Sequence, residues 1–304
     1  MGELQKSHVR QHYIPQFILK NFCYDPNNEK VYFFEAGEDA YFTPFVSNVF
    51  MEEYLYSKEE NSLEIEKSLA RFEADVAPIF KKLNNDTEIK LTLEEDERLR
   101  IFLSLLAFRS IATRNQFDNM SELSRIMYGQ KSDDTDMKDI WLDNIRLISQ
   151  CRSIKEILSN PQVSNPLKVF ITQEFSAFYM CILERRGSID FVISDCYPIV
   201  MYGNAELPNG MSIHLPIYYF YPISASRVIA LVTNNIKDVI RSVAYLDYTK
   251  ILKGAKRSWD RQHLIFRPAR IYSQGVEWIN EMIVKNAQIG IAVKDIDRCY
   301  IKTK

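Results

Sequence analysis

Apolar residues change their spacing along this chain near Phe178, and that change limits the folds open to it. Before it the repeat is helical. Leu63, Leu69, Ala70, Phe72, Val76 and Phe80 mark one face of a helix running from Ser62 to Leu83, stopped by Asn84-Asn85-Asp86. Thr92 and Glu95 have capping-box spacing and open another helix, whose apolar stripe is Leu99, Phe102, Leu103, Leu106 and Ala107. Further helices are predicted over 135–149, 153–159 and about 166–176. After Phe178 the apolar runs shorten to strand length. Tyr179–Glu184 and Phe191–Ser194 flank Arg185-Arg186-Gly187-Ser188 in a hairpin pattern, and strands at 211–214, 217–221 and 228–233 follow, separated by Pro and Gly signals. A helix over 274–288 and a strand at Gly290–Val293 close the chain.

Near the N-terminus, Pro15 suits a first helical position, with Phe17, Ile18 and Phe22 near one face. Lys30–Glu35 and Tyr41–Phe45 carry the aromatic and β-branched content of two strands. The expected class is therefore α+β, helix-rich in the first half and middle, with a mixed or antiparallel sheet mainly in the second half. With no internal repeat, the expectation is a single domain over 1–304, its helical part roughly 60–176 and its sheet-rich part roughly 178–304, joined by the strands at 30–45.

Composition narrows function mainly by exclusion. Lys plus Arg (38) nearly balances Asp plus Glu (40), so a nucleic acid would have to be met by a local patch rather than by overall charge. Only 9 Gly are present, and none of the glycine-rich phosphate loops, the G-x-S-x-G elbow or the H-E-x-x-H zinc motif occurs. Cys23, Cys151, Cys181, Cys196 and Cys299 are scattered, without zinc-ligand spacing, and read as reduced thiols of a reducing compartment. Met1 to His12 is polar, and Lys6 stands where myristoylation needs Ser or Thr. The apolar stretches near 101–108 and 215–233 are interrupted too soon to span a bilayer. A cytoplasmic protein with no membrane partner is expected.

Four places carry groups suited to chemistry, each with a structural reading beside it. His12, within His8-Val-Arg-Gln-His12-Tyr-Ile-Pro15-Gln16, is either a base or ligand, or an imidazole that caps the following helix or packs with Tyr13. Asp195, at the end of Phe191-Val-Ile-Ser194-Asp195, either holds a cation or accepts a proton, or closes the strand in an Asx-turn. Arg109 and Arg114, late in an apolar helix, either clamp phosphate or carboxylate or answer the helix dipole. Lys250, Lys253, Lys256, Arg257, Arg261, Arg267 and Arg270, interleaved with Trp259, His263 and Phe266, either follow a nucleic-acid backbone or form a solvated face.

Several of these segments together resemble a known bacterial family, domain of unknown function 4238 (DUF4238). His12-Tyr-Ile-Pro15-Gln16-Phe17-Ile-Leu19-Lys-Asn21-Phe22 is similar to its opening motif, and Ser194-Asp195-Cys-Tyr-Pro198 to its Ser-Asp-Asn-Pro element. Tyr221-Pro222-Ile-Ser224 looks like the strand after it, Arg109 falls where the family has a mid-chain Arg, and Asn280 and Ala287 resemble the Asn and Ala of its closing helix. Cys196-Tyr197 replaces the family's single Asn, adding one residue to that turn. The resemblance implies a bacterial cytoplasmic protein and supplies no activity.

Two functions fit these residues. In the first, a phosphodiester hydrolase serving as a toxin or in phage defence, His12, Asp195 and Asn280 are catalytic, with a divalent metal at Asp195. Arg109, Arg114, Gln16 and Ser194 then bind phosphate or substrate, and Lys253, Lys256, Arg257 and Arg261 bind nucleic acid. Glu66 and Glu73, seven apart on one helix face, are candidates for the further carboxylates it needs. In the second, a non-catalytic nucleic-acid- or protein-binding module, the motif residues form a buried polar network.

Overall fold

The protein is described by a computed structural model covering residues 10–56, 62–118, 137–176, 178–206, 210–233, 257–260 and 262–299. In chain order its strands and helices are β1 (Arg10–His12), α1 (Gln16–Leu19), β2 (Tyr32–Glu35), β3 (Tyr41–Phe42), β4 (Met51–Glu53), α2 (Ser62–Asn85), β5 (Ile89–Thr92), α3 (Leu93–Phe108) and α4 (Ile111–Asp118). There follow α5 (Met137–Gln150), α6 (Ile154–Ser159), α7 (Asn165–Ser176), β6 (Phe178–Arg185), β7 (Ile193–Ser194), β8 (Ile199–Glu206), β9 (Ser212–Ser224) and β10 (Arg227–Thr233). The last are β11 (Arg257–Trp259), β12 (His263–Phe266), β13 (Ala269–Ile271), α8 (Ser273–Asn286) and β14 (Gly290–Val293). The fold is α+β. Two compact units share the chain, one made of Met1–Pro15, Phe50–Ile79 and Leu93–Ser176, the other of Gln16–Val49, Phe80–Thr92 and Ala177–Lys304.

The first unit is helical, with one antiparallel ribbon of β1 and β4. Its centre is α3. Beyond the expected stripe, Ile101, Leu105 and Phe108 are also buried, as are Arg100 and Ser104, so this helix is enclosed rather than one-faced. Phe102 meets Phe72 of α2 edge-on at 5.4 Å, and the indole of Trp141 in α5 donates to the Phe108 carbonyl at 3.0 Å, satisfying one of the orphan acceptors at the end of α3. The Arg98 guanidinium lies over the Phe72 ring, pairs with Asp75 at 2.9 Å and donates to the Cys151 carbonyl.

The second unit holds three sheets, ordered β13-β6-β10-β9-β8, β11-β12-β5 and β3-β2-β14-β7. Only the β13–β6 pairing is parallel among the described strands. The hairpin expected between 179 and 194 does not form. β6 pairs with β10 and β13, whereas β7 joins β14 in another sheet. Burial explains the difference: nearly all of β6 from Phe178 to Leu183 is covered, as suits a strand flanked on both sides. The strands expected at 211–214 and 217–221 are one strand, β9. Among the described residues Pro216 lies where β9 pairs with β8 alone, and Pro222 where it pairs with β10 alone, positions with one open side that tolerate a residue lacking N–H.

Val276, Ile279 and Ile283 of α8 pack into the core with Val228, Ala230 and Val232 of β10 and with Ile291 and Val293 of β14. Between β2 and β3, Gly37 adopts φ 87°, the left-handed turn conformation that glycine takes without a Cβ clash. Gly290 is needed for space: a Cβ there would strike the Phe33 ring and the Phe34 carbonyl. Replacing Gly290 with Ala is expected to lower unfolding free energy by about 1–3 kcal/mol through overpacking. A urea titration checks this, and an unchanged midpoint would show that the β2–β14 contact yields freely.

Candidate functional site

The opening motif lies in the first unit up to Pro15, and its neighbours there form a compact polar centre. Along β1 successive side chains alternate faces. Gln11, opposite Glu52, therefore shares one face of the ribbon with it, and His12, opposite Met51, lies on the other. The buried Gln11 amide oxygen accepts from the Tyr56 backbone N–H at 2.5 Å. The carbonyls of His12 and Tyr13 accept from a side chain far along the chain. Arg109, immediately after α3 and only 1% exposed, donates from Nε to Tyr13 O at 2.9 Å and from Nη2 to His12 O at 3.4 Å, while Nη1 meets Glu73 at 2.9 Å. The Tyr56 hydroxyl also points to His12 O, at 3.3 Å. Burial raises the Tyr56 phenol to about 12, so it remains a neutral donor.

Arg109 thus occupies its three nitrogens within the protein. Arg114 belongs to a separate helix, α4, and pairs with the partly exposed Glu52 at 2.5 Å. Glu73, one of the two α2 carboxylates considered for a site, serves the Arg109 pair. His12 is partly exposed with Nδ1 buried, and its carbonyl accepts from Arg109 and from the Tyr56 hydroxyl. Glu52 and Tyr56 lie in no sequence motif, and Gln11 lies in the His8–Gln16 run without a role assigned to it; pairing of β1 with β4 brings them together.

In the second unit, Asp195 is 1% exposed and sits at the end of β7. Oδ1 accepts from the backbone N–H groups of Gln288, Ile289 and Gly290 at 3.1, 3.0 and 3.0 Å, and Oδ2 lies 3.1 Å from Gln288 N. Three successive amides leading into β14 converge on one carboxylate, the arrangement by which a backbone nest holds an anion. Ser194 is buried, and its hydroxyl donates to Cys196 O at 3.4 Å. Asn280 of α8, fully buried, accepts from Val192 N at 3.2 Å and donates to Asp190 O at 2.8 Å. Asn280 and Asp195 therefore bracket the segment from Asp190 to Asp195 that contains β7, one tying it to α8 and the other to the start of β14. Gln16 opens α1 and is partly exposed. The two-residue spacer Cys196-Tyr197 leads to a cis Tyr197–Pro198 bond, and the Tyr197 hydroxyl donates to Pro222 O at 3.1 Å.

A family model described as a protein of unknown function (DUF4238) matches residues 10–296. The chain belongs to that family. No curated protein and no solved structure matches it. In this DUF4238 chain the match takes in both motif centres, from β1 through β14.

The remaining expected site residues fall differently. Lys253, Lys256 and Arg261 lie outside the described residues, as does the side chain of Arg257. Of the aromatics interleaved with them, Trp259 is 52% exposed whereas Phe266 is a core residue, because β12 turns alternate residues inward. Asp260 accepts from Gln262 N and His263 N at 2.9 and 2.7 Å, which lowers its carboxyl below the usual range and marks it as a turn former. Arg267 pairs with Glu88 at 2.7 Å. Among the described residues no three His, Cys, Asp or Glu side chains could jointly hold a metal ion, and no helix is long and apolar enough to cross a membrane.

Arg227 was not singled out by sequence. It is buried, and Nη1 donates to Leu83 O and Asp86 O at 2.7 and 2.8 Å, closing the C-terminus of α2. Its signal is a single Arg in an apolar strand run, which spacing alone does not separate from a surface residue.

Two measurements follow from this geometry. Arg109→Met takes a donor from the buried Tyr13 carbonyl and the partner from Glu73, while His12 O keeps the Tyr56 hydroxyl, and is expected to cost roughly 3 kcal/mol in a denaturant titration. Arg114→Met removes a partly solvated pair and is expected to cost under about 1 kcal/mol. Equal effects would contradict the contrast in burial. The thiols give a pH test. Desolvation is the leading cause that raises Cys23, Cys196 and Cys299 to about 11 and Cys181 to about 12, from 9.0. Below 9 both folded and unfolded thiols are protonated and the stability from these groups is fully present. As pH rises from 9 through the folded values, the unfolded chain ionises first and stability is lost. A melting temperature that falls over that window in the parent, and falls less after Cys→Ser changes at 23, 196 and 299, is the expected outcome.

Proposed function

We propose that this protein is a non-catalytic binding module in which the motif residues build the fold and an exposed surface meets the partner. The observation that carries this reading is the Asp195 carboxylate, almost sealed from solvent and turned onto three backbone amides. A buried carboxylate held this way organises a loop; as a general base it would have to exchange those donors for substrate. Asn280 spends its carbonyl and its amide on the backbone, and Arg109 spends its guanidinium likewise, which supports the same reading.

The competing proposal is a phosphodiester hydrolase acting as a toxin or in defence against phage. It draws on His12 for a base and on Arg114, which keeps a partly exposed guanidinium beside Glu52. In either case the protein is read as working in a reducing bacterial cytoplasm, and its five free thiols support that.

Asp195→Ala separates the two. It takes the acceptor from three backbone amides, of which Gly290 N is buried, at about 1–3 kcal/mol for that orphaned group, so a drop in melting temperature is expected. The same preparation and its parent are incubated with single- and double-stranded DNA and RNA. A parent that cleaves, beside a variant that melts normally but does not cleave, would overturn the binding-module reading.

A further inference from the structure

The strand β3 is the outer member of its sheet, and its two residues are both aromatic and half exposed. Tyr41 is 49% and Phe42 48% exposed, and among the described residues no strand pairs with the outer side of β3. Register makes the exposed rings continuous with the sheet. Tyr41 is opposite Phe34 and Phe42 is opposite Phe33, so the two rings lie on opposite faces of the edge. On the Tyr41 face the rings form a row: Tyr41 meets Tyr32 edge-on at 5.3 Å, and Tyr32 stacks on Tyr24 at 4.2 Å. Phe34, Ile291 and Val293 on that face belong to the buried core, so the row is the core face continued past its cover. Exposed contiguous aromatics of this kind mark interaction sites.

Charge identifies the class of occupant. The turn joining β2 to β3 brings exposed Glu38 and Asp39 beside the edge, and Asp295 and Asp297 are close enough to raise the Tyr32 phenol by their charge, after the larger effect of burial. On the basic side are the exposed Lys294 and Lys30, whose ammonium already lies over the Phe45 ring at 5.2 Å. Carboxylates around bare aromatic faces repel a phosphate backbone and attract cations, which rings of this type also bind through their π faces. A second copy of the chain would set the same acidic turn against itself.

We propose that β3 docks an extended, lysine- or arginine-bearing segment of another protein, which adds to this sheet as a further strand. Main-chain hydrogen bonds to the outer side of β3 would supply affinity, and alternate basic side chains over the Tyr24–Tyr32–Tyr41 row would supply selectivity. This inference rests on the binding-module reading above and names its partner class.

The test uses the full-length protein and three fluorescein-labelled probes: a short peptide alternating Lys with Val, the same peptide with Glu for Lys, and oligo(dT). Anisotropy titration is expected to show binding of the Lys peptide alone, weakening as salt is added. Tyr41→Ala with Phe42→Ala is expected to weaken it at least about 10-fold, the loss typical of removing central interface rings. Asp295→Asn with Asp297→Asn is expected to weaken it and flatten the salt dependence, without touching the strand. Failure of the Lys peptide to bind, equal binding of the Glu peptide, or no change in either variant overturns the proposal. So does oligo(dT) binding that is lost in the Tyr41/Phe42 variant, which would assign the edge to nucleic acid. These outcomes are independent of the Asp195→Ala melt and cleavage assays, so a failed docking site and a failed binding-module reading give different results.

Discussion

A charge taken out of water must find partners inside the protein, and each unit of this chain is organised around one such charge. In the second unit it is the Asp195 carboxylate. Its acceptors gather Gln288, Ile289 and Gly290 in a single bend, fixing where α8 ends and β14 begins. That in turn sets the register of β14 against β2 and β7, and with it the position of the exposed edge at β3. In the first unit the buried charge is Arg109, which holds the carbonyls of His12 and Tyr13 to the end of α3. Removing either residue takes a partner from a buried backbone group, Gly290 N for Asp195 and Tyr13 O for Arg109.

The motif residues are therefore spent on the main chain. Asn280 repeats the pattern by joining α8 to the segment that leads into β7, and Arg227 does so at the end of α2. Side chains tied to backbone in this way rigidify the structure and specify a unique fold. On the binding-module reading proposed above, what they leave to a partner is the surface. Among the described residues it carries the aromatic row that runs out from under the core at β3, bordered by carboxylates and with an open strand edge.

Much of the fold was legible in the residues. The helices predicted for 62–83, 153–159 and 274–288 appear as Ser62–Asn85, Ile154–Ser159 and Ser273–Asn286, because local spacing and end signals dominate there. The strand at Gly290–Val293 was read where it stands. The hairpin at 179–194 was not, since turn residues between two apolar runs cannot report that each run prefers a different partner. The single stripe assigned to α3 understated its burial, and β5, α4 and β8 were not marked at all, their patterns being short or masked by neighbours. Site residues followed the same division: His12, Asp195, Arg109 and Asn280 stood out by type and motif, whereas Glu52, Tyr56 and Arg227 carry no local signal.

By itself the sequence determined the element types, the absence of common nucleotide and zinc motifs, and the side chains rich enough in polar atoms to matter. Those properties reside in neighbouring residues and survive without knowledge of distant ones. Tertiary structure alone decided what the polar groups face. Asp195 meets amides more than ninety residues away and Arg109 meets carbonyls at a similar separation, so their partners are fixed by chain closure and burial. The same closure left Tyr41 and Phe42 uncovered while burying Phe266, a choice that rests on where sheets end and cores begin rather than on the aromatic residues themselves.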